Sequence, residues 1–296
     1  MRGQSLAATA LAALLAMGGG ACRRGGAPPS VGAVQIIQGR AAEAVAEAGV
    51  APAEIEGLTR TALSDAGFRL APGPRAYRAR LEVLSLRVSS DAKGNAWSEA
   101  VVALELRPGD GEEPRPRPSL GETGRGLVPV GTAPSAAWRA AIEEASREAA
   151  SRLAIAVAAE EKTTAALLED LEAADPRVRE RAIVVLGERR SAEAVPALLA
   201  RLQDPEPRLV DLAVGALAQT RDRRAVGPLI DLSRRRPPRE QARFARLLGD
   251  IGGGEARGYL ETLAAGASEP GLRHAAAEAL ADLSAGEQAS PRAVER

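Results

Sequence analysis

Side chains that commonly do chemistry are scarce in this chain, which holds one cysteine, Cys22, and one histidine, His274. A lone histidine excludes a zinc site built on several histidines and also the HExxH arrangement. Neither lysine follows a glycine-rich loop in the GxxxxGK spacing that cradles phosphates. We therefore expect no metal and no cofactor, and we expect His274 to lie on the surface of the last repeat described below.

Two other arrangements of polar residues have spacings that occur in catalytic sites. Ser90 and Lys93 have the SxxK spacing of penicillin-binding enzymes, in which the serine opens a helix that brings the lysine close. Here they lie in "SSDAKGN", a turn-forming stretch, so we predict a hairpin turn. The acidic pairs Glu112–Glu113 and Glu143–Glu144 are predicted to face solvent. Because no residues pair as acid and base, we expect that the protein is not an enzyme.

The N-terminal segment, residues 1–21, has the features of a cleaved signal peptide. Arg2 precedes an apolar run over 6–17 that is too short to span a bilayer. Small residues come before Cys22, and this pattern resembles the lipobox of bacterial lipoproteins. The resemblance implies that Cys22 becomes the lipid-modified N-terminus. An ordinary signal peptide beside an unmodified cysteine is the alternative.

The residues that follow Cys22 support an envelope location. Residues 22–30 are rich in glycine and proline and are predicted to form a flexible tether. The lipoprotein resemblance places the protein in the bacterial cell envelope, anchored to the membrane and facing the periplasm. Arg23 stands where an aspartate favours inner-membrane retention in some bacteria, so we expect the outer membrane.

Charge is balanced overall but uneven along the chain. Lysine plus arginine and aspartate plus glutamate each number 39, which argues against nucleic acid as a partner. Residues 221–246 nevertheless hold nine arginines against three acids, and 250–287 are acidic. Either neighbouring repeats neutralise each other, or the arginines bind an acidic protein surface or the phosphates of anionic lipid or lipopolysaccharide. The nine candidates are Arg221, Arg223, Arg224, Arg234, Arg235, Arg236, Arg239, Arg243 and Arg246.

Residues 31–161 mix strand and helix patterns. Pro52 and Gly67 bound a helical pattern of apolar residues, and 133–161 predict a long helix. Alternation over 77–88 changes phase near Val83, which predicts a bulge, and a second strand follows over 96–106. The stretch "RPGDGEEPRPRPSLGETG" then predicts a long polar loop, and "GRGLVPV" predicts a third strand. The order predicts an α+β domain, βαβββα, with a mainly antiparallel sheet covered by two helices.

Residues 162–285 repeat themselves every 31 or 32 residues. Leucines recur at 167, 198 and 229 and again at 186, 217 and 248, and Pro176 recurs at 207, 238 and 270. Each copy predicts a helix, a turn and a helix that begins at the proline, with Asp175 as an N-cap. The stretch "DPRVRERAIVVLGERRSAEAVPALLARL" resembles HEAT repeats of the short bacterial type found in phycobilin lyases. It predicts an all-α solenoid of about four helix pairs, followed by a disordered tail, residues 286–296.

The predicted function follows from this organisation. HEAT solenoids usually bind proteins, so we expect a non-catalytic, lipid-anchored scaffold or adaptor with a protein partner in the envelope. Two alternatives place a site in the α+β domain: an envelope enzyme, or a module that binds a small ligand or a glycan. Trp97 or Trp138 in an open groove would favour the binding module.

Overall fold

A computed structural model describes residues 28–73, 76–90, 95–109, 119–129 and 134–289. The N-terminal part is a curled, mixed five-stranded sheet with helices, and the C-terminal part is entirely helical. This is the fold class that the sequence predicts. The last helix ends at Ala289, so residues 286–289, which were predicted to be disordered, are helical instead.

The sheet has the strand order β2-β1-β3-β4-β5. Strand β1 is parallel to both β2 and β3, whereas β3, β4 and β5 are antiparallel to one another. Helix α1 and strand β2 had no counterpart in the predicted order, because six and two residues are too short to show a period. The elements are β1 Ser30–Ile37, α1 Ala42–Glu47, α2 Pro52–Asp65, β2 Arg69–Leu70, β3 Tyr77–Ser90, β4 Ala96–Arg107, β5 Leu120–Pro129 and α3 Pro134–Glu161.

One face of the sheet forms the first hydrophobic core, against α2 and α3. Alternate residues of the long strands point inward, as Leu81 and Leu104 do, and they pack with Leu63 and Ile142. The register between β3 and β4 shifts between Val83 and Ser85, which confirms the predicted bulge. The opposite face of the sheet carries charged side chains such as Arg80, Glu99 and Arg125, and the exposed Leu127 lies among them.

Helix α3 lies unusually close to strand β5. A Cβ atom on Gly124 or Gly126 would fall 1.9 Å from the carbonyl oxygen of Ala145 or Ala141 in α3. Two glycines in a strand thus allow helix and strand backbones to touch. The stretch "LGETG" was predicted as part of a loop, and this was wrong, because β5 already begins at Leu120. Strand propensity was low there because the glycines serve this contact.

The helical part contains four helix pairs, as the repeat predicts. In the layer formed by the second helices, α5 packs on α7, α7 on α9 and α9 on α11. Asp175 caps α5 by accepting from the amide of Arg177, and Pro176 stands in its first turn, as predicted. The helices are α4 Thr164–Asp170, α5 Pro176–Glu188, α6 Val195–Ala200, α7 Pro207–Thr220, α8 Val226–Ser233, α9 Pro238–Ile251, α10 Gly254–Gly266 and α11 Pro270–Ala289.

The repeated leucines form the second hydrophobic core. Leu167 and Leu186 are fully buried, and so are their counterparts in the next two repeats. Helix α3 joins the two parts, because its middle packs on the sheet while Ala159 near its end belongs to the core of the stack. An ion pair between Arg181 and Glu160, at 2.6 Å, holds α5 to the same end of α3.

Candidate functional site

The nine arginines of the basic window fall into three groups in the structure. Helix α8 separates the first group from the second by a length of about 12 Å, at 1.5 Å per residue. The third group lies along one exposed line of α9. The groups are Arg221, Arg223 and Arg224; Arg234, Arg235 and Arg236; and Arg239, Arg243 and Arg246.

Several of these arginines are held by nearby acids and by residues of neighbouring repeats. Arg224 binds both carboxylate oxygens of Asp222 and donates to the carbonyl of Ala192 at 2.8 Å. The hydrogen bonds from Arg224 lower the pKa of Asp222. Arg234 lies 3.6 Å from Asp231 and stacks over the ring of Tyr259. These guanidinium groups stabilise local turns of the chain.

The acidic fourth repeat does little to neutralise the basic third repeat. Arg246 Nη2 lies 3.9 Å from Glu278 Oε2, and within the described ranges this is the one ion pair that joins the two charge windows. Arg236 pairs with Glu240 of its own window. The interpretation that neighbouring repeats neutralise each other therefore accounts for one ion pair, Arg246 with Glu278. Five arginines of the window form no ion pair with a described residue: Arg221, Arg223, Arg235, Arg239 and Arg243.

The third group forms what we call the α9 strip: Arg239, Arg243 and Arg246. Its members are separated by four and three residues, which places them one above another on the helix. The opposite face of α9 is buried through Phe244 and Leu248. Helix α9 is therefore anchored on one side and presents guanidinium groups to solvent on the other.

A shallow apolar lane on α7 lies beside the α9 strip, since the two helices are neighbours in the layer. This α7 lane consists of Leu212, which is partly buried, and Gly215. A Cβ atom on Gly215 would meet no other atom within 4 Å. Asp211 is exposed on the same helix. An approaching chain could thus come close to the backbone of α7.

A groove of about 480 Å³ separates α9 from α11. Asp250, Glu278 and Asp282 line it, and Arg246 stands at its rim. His274 is exposed on α11, as predicted, with Nε2 3.2 Å from Oε1 of Glu278. The exposed face of the layer is therefore basic along most of α9 and acidic toward α11.

A polar cavity of about 120 Å³ lies where the sheet meets the stack, between β5, α3 and α5. Glu122 faces it, and burial raises the pKa of this carboxyl group. Arg152 and Arg181 line the cavity too, but their closest acids are Glu148 and Glu160. Glu122 has no hydrogen-bond partner among the described residues, so the carboxylate is poorly compensated.

A second cavity, of about 110 Å³, is apolar. It lies beside the carboxyl end of β1, under α1 and α2, and its lining includes Ile37, Val45 and Ile55. Neither tryptophan lines a cavity described above: Trp97 is half-buried on β4, and Trp138 packs against the first core. The tryptophans therefore supply no argument for a ligand-binding groove in the α+β domain.

The other predicted chemistry sites have the following positions. Ser90 is the last residue of β3, and Lys93 lies outside the described residues, as do Cys22 and Glu112–Glu113. Glu143 and Glu144 are exposed on α3 and both pair with Arg147. Across the described ranges, no group of three or more histidine, cysteine, aspartate or glutamate side chains is placed to hold a metal ion.

The sequence did not predict that two carboxylates are buried and paired with arginines. Glu99 on β4 is only 3% exposed, and it accepts from Arg87 at 3.1 Å and from Arg125 at 2.8 Å. The hydrogen bond from Arg87 lowers the pKa of Glu99, with help from Arg125, against the effect of burial. The alternation of β4 places Glu99 on the face opposite the core. It does not show that arginines on both neighbouring strands, Arg87 and Arg125, cover the carboxylate there.

The second is Asp204, whose side chain is fully buried before α7. It accepts from Arg179 at 3.2 Å and lies 3.6 Å from Arg201. Asp204 therefore ties the first repeat to the second. The repeat gave no signal for this role, because the position equivalent to Asp175 is Glu206, and Asp204 lies two residues before it.

The geometry defines a mixed sheet domain joined to a stack of paired helices. Residues 164–240 match the family model for HEAT repeats, which covers the first two helix pairs, α8 and the start of α9. The predicted resemblance to HEAT repeats is thereby confirmed for this segment. No protein of curated function matches the sequence of this chain. Among the helices described, none has the length and the apolar character needed to cross a membrane.

Proposed function

We propose that the protein is a non-catalytic scaffold or adaptor that binds a protein partner through its HEAT stack. The observation that carries this proposal is the HEAT match over 164–240 within four stacked helix pairs. In such a stack each repeat contacts its neighbours alone, so the second helices present one extended surface. HEAT repeats generally use such surfaces to bind other proteins.

The charge distribution on that surface supports binding. Arg239 and Arg243 are exposed and have no acidic partner among the described residues. Elsewhere on the layer an arginine does have an internal partner: Arg208 lies 2.6 Å from Glu180. Guanidinium groups without an internal partner are available for carboxylates of another protein.

We further propose that the chain is anchored to the envelope membrane through a lipid on Cys22. Eight residues separate Cys22 from Ser30, where β1 begins, and a fully extended chain of that length reaches at most about 28 Å. The sheet domain would then lie near the membrane, and α3 would carry the stack beyond it on the periplasmic side. The outer membrane is the proposed location.

Site-specific photo-crosslinking tests the proposed binding surface. A photoreactive residue at Asp211 or Gln219 samples the second-helix layer, and one at Ala200 or Glu261 samples the first helices as a matched control. We expect a discrete crosslinked partner from the first pair of positions and not from the second. A partner reached only from the open face of the sheet, for example from Arg87, would overturn the assignment to the stack.

Intact mass of the mature protein, purified from membranes, tests the proposed anchor. We expect a mass that corresponds to cleavage before Cys22 plus acyl chains, and we expect Cys22→Ala to release the protein from the membrane fraction. An unmodified Cys22 in the soluble fraction would overturn the anchor and leave the proposal for the stack intact.

A further inference from the structure

Two guanidinium groups of the α9 strip stand one helical turn apart without an internal partner. Arg239 and Arg243 are separated by about 6 Å along the axis of α9. Within the described ranges neither forms an ion pair, whereas Arg246 at the end of the strip is 3.9 Å from Glu278. Carboxylates spaced by four residues on a helix have the same separation, so they would meet both guanidinium groups at once.

The α7 lane provides the apolar part of the same surface. Leu212 and Gly215 lie on the helix next to the strip, and the space above Gly215 is open to at least 4 Å. Apolar side chains of a partner could pack there and exclude water around the neighbouring ion pairs. Charge pairs that lose water on binding contribute more to affinity than exposed pairs do.

The surrounding acids argue for a narrow anionic partner over a broad anionic surface. Asp211 is exposed on the α7 side of the strip, and Asp250 and Asp282 lie on the α11 side. An anionic membrane pressed against this face would contact the acids together with the arginines. A single chain along the strip avoids Asp250 and Asp282, and only Asp211, at the edge of the α7 lane, lies beside it.

We propose that the α9 strip and the α7 lane together dock an acidic, amphipathic helical segment of a partner protein. The carboxylates of that segment pair with Arg239 and Arg243, and its small apolar side chains cover Leu212 and Gly215. This inference rests on the proposed function and adds to it the docking face and the chemistry of the partner. It also separates the α9 strip from the other two arginine groups, which lie in the turns after α7 and α8.

The test measures peptide binding to the full mature chain by fluorescence anisotropy. The probe is an alanine-rich helical peptide of about 20 residues with glutamates four residues apart. The same peptide with glutamine in place of glutamate is the neutral control. The variant Arg239→Glu/Arg243→Glu reverses the strip, and Arg221→Glu/Arg223→Glu makes the same charge change at exposed arginines elsewhere. Circular dichroism verifies that both variants remain folded.

We expect saturable binding of the acidic peptide, weak binding of the neutral one, and a loss of about tenfold or more in affinity for the strip variant. The matched variant should retain affinity within about threefold, because distant exposed charges are screened. Equal losses in both variants would show that net charge alone attracts the peptide, and they would overturn the proposal.

Two further outcomes also contradict the inference. Vesicles containing anionic lipid could bind the wild type and release the strip variant while the acidic peptide is not bound, which would assign the strip to a membrane. Alternatively, crosslinking could identify a partner on the second-helix layer whose capture survives reversal of the strip. In that case the proposed scaffold function would stand and the proposed chemistry of docking would fall.

Discussion

The sheet domain and the helical stack solve the same packing problem in different ways. In the sheet domain one helix, α3, fits against β5 through backbone contact at Gly124 and Gly126. Among the described residues no other helix and strand meet in this way. In the stack, equivalent positions repeat one contact: Arg179, Gln241 and Arg273 each donate to a carbonyl in the turn that follows the first helix of their repeat. Damage to a unique contact should therefore cost more than damage to a repeated one.

Buried charge shows the same contrast. Glu99 is shielded by arginines whose side chains remain more than half exposed, on the open face of the sheet. Asp204 is shielded by Arg179 and Arg201, whose side chains are themselves 12% and 18% exposed. The stack therefore depends on a desolvated ion group between two repeats, and the sheet depends on one that water can still reach.

The largest effect is expected from Gly126→Ala. The new methyl group would fall 1.9 Å from the carbonyl oxygen of Ala141, and backbone cannot yield as a flexible side chain can. We expect a loss of about 4 kcal/mol or more in the free energy of unfolding, measured by urea denaturation. Gly121→Ala on the same strand is the control, because its methyl group meets nothing within 4 Å, and it should be nearly neutral. Similar stability of the two variants would contradict the close fit of α3.

The next largest effect is expected from Asp204→Ala in the stack. Removing the carboxylate leaves Arg179 without a counter-ion, whereas Arg201 keeps Glu172 at 3.0 Å, and each arginine still donates to a backbone carbonyl. We expect a loss of about 3 kcal/mol, with faster hydrogen exchange in the first two repeats and unchanged exchange in the sheet. The exposed Asp211→Ala is the control. Increased exchange across the whole chain would show that the two regions unfold as one unit.

A smaller and opposite pair of effects is expected at two carboxylates of the sheet domain. The pKa of Glu99 is lowered, so its contribution to stability is present above its unfolded pKa and disappears as the pH falls through the folded pKa. Glu99→Gln should thus cost about 1–2 kcal/mol at pH 7, and the difference from wild type should vanish in acid.

Glu122 should behave in the reverse manner. Its pKa is raised by burial, so the favourable contribution exists below the unfolded pKa and is lost as the pH rises through the folded pKa. Glu122→Gln should therefore raise the melting temperature at pH 7 and give little gain at low pH. A pH profile for Glu122→Gln that runs parallel to that of Glu99→Gln would contradict the assigned environments.

The smallest effect concerns the turns between repeats. Arg190 and Arg221 have positive φ angles of 49° and 53°, at positions equivalent to Gly252 one repeat later. Arg221→Gly should stabilise the stack by up to about 1 kcal/mol, because glycine adopts this conformation without strain. Arg221→Ala removes the same charge but keeps the Cβ atom, so thermal unfolding should show no gain. A gain in both variants would assign the effect to charge.

The sequence predicted the repeat region well because its signals are local. A period of 31 residues, a proline in each second helix and the N-cap at Asp175 all act within a few residues. The sheet domain was predicted in outline, and its bulge near Val83 was placed correctly from the change in alternation. The short elements and the start of β5 at Leu120 were missed, since glycines selected for contact with α3 resemble loop residues.

The candidate site was predictable in composition but not in arrangement. Nine arginines within 26 residues are visible in the sequence, whereas their division into three groups depends on where α8 and α9 run. Ion pairing then decides which of them are available, and partners such as Ala192 and Tyr259 come from other repeats. Asp222, two residues before Arg224, is a local signal for a bound guanidinium group, but nothing near Arg239 in the sequence shows that it stays open.

By itself the sequence determined the repeat length, the alternation of the long strands and the helix starts, because hydrophobic periodicity and capping are properties of neighbouring residues. Only the tertiary structure decided that α3 belongs to both cores, that Gly126 is a contact point and that Arg239 and Arg243 have no acidic partner among the described residues. Each of these depends on distances between residues far apart in the chain, and those distances exist only once the layers have packed.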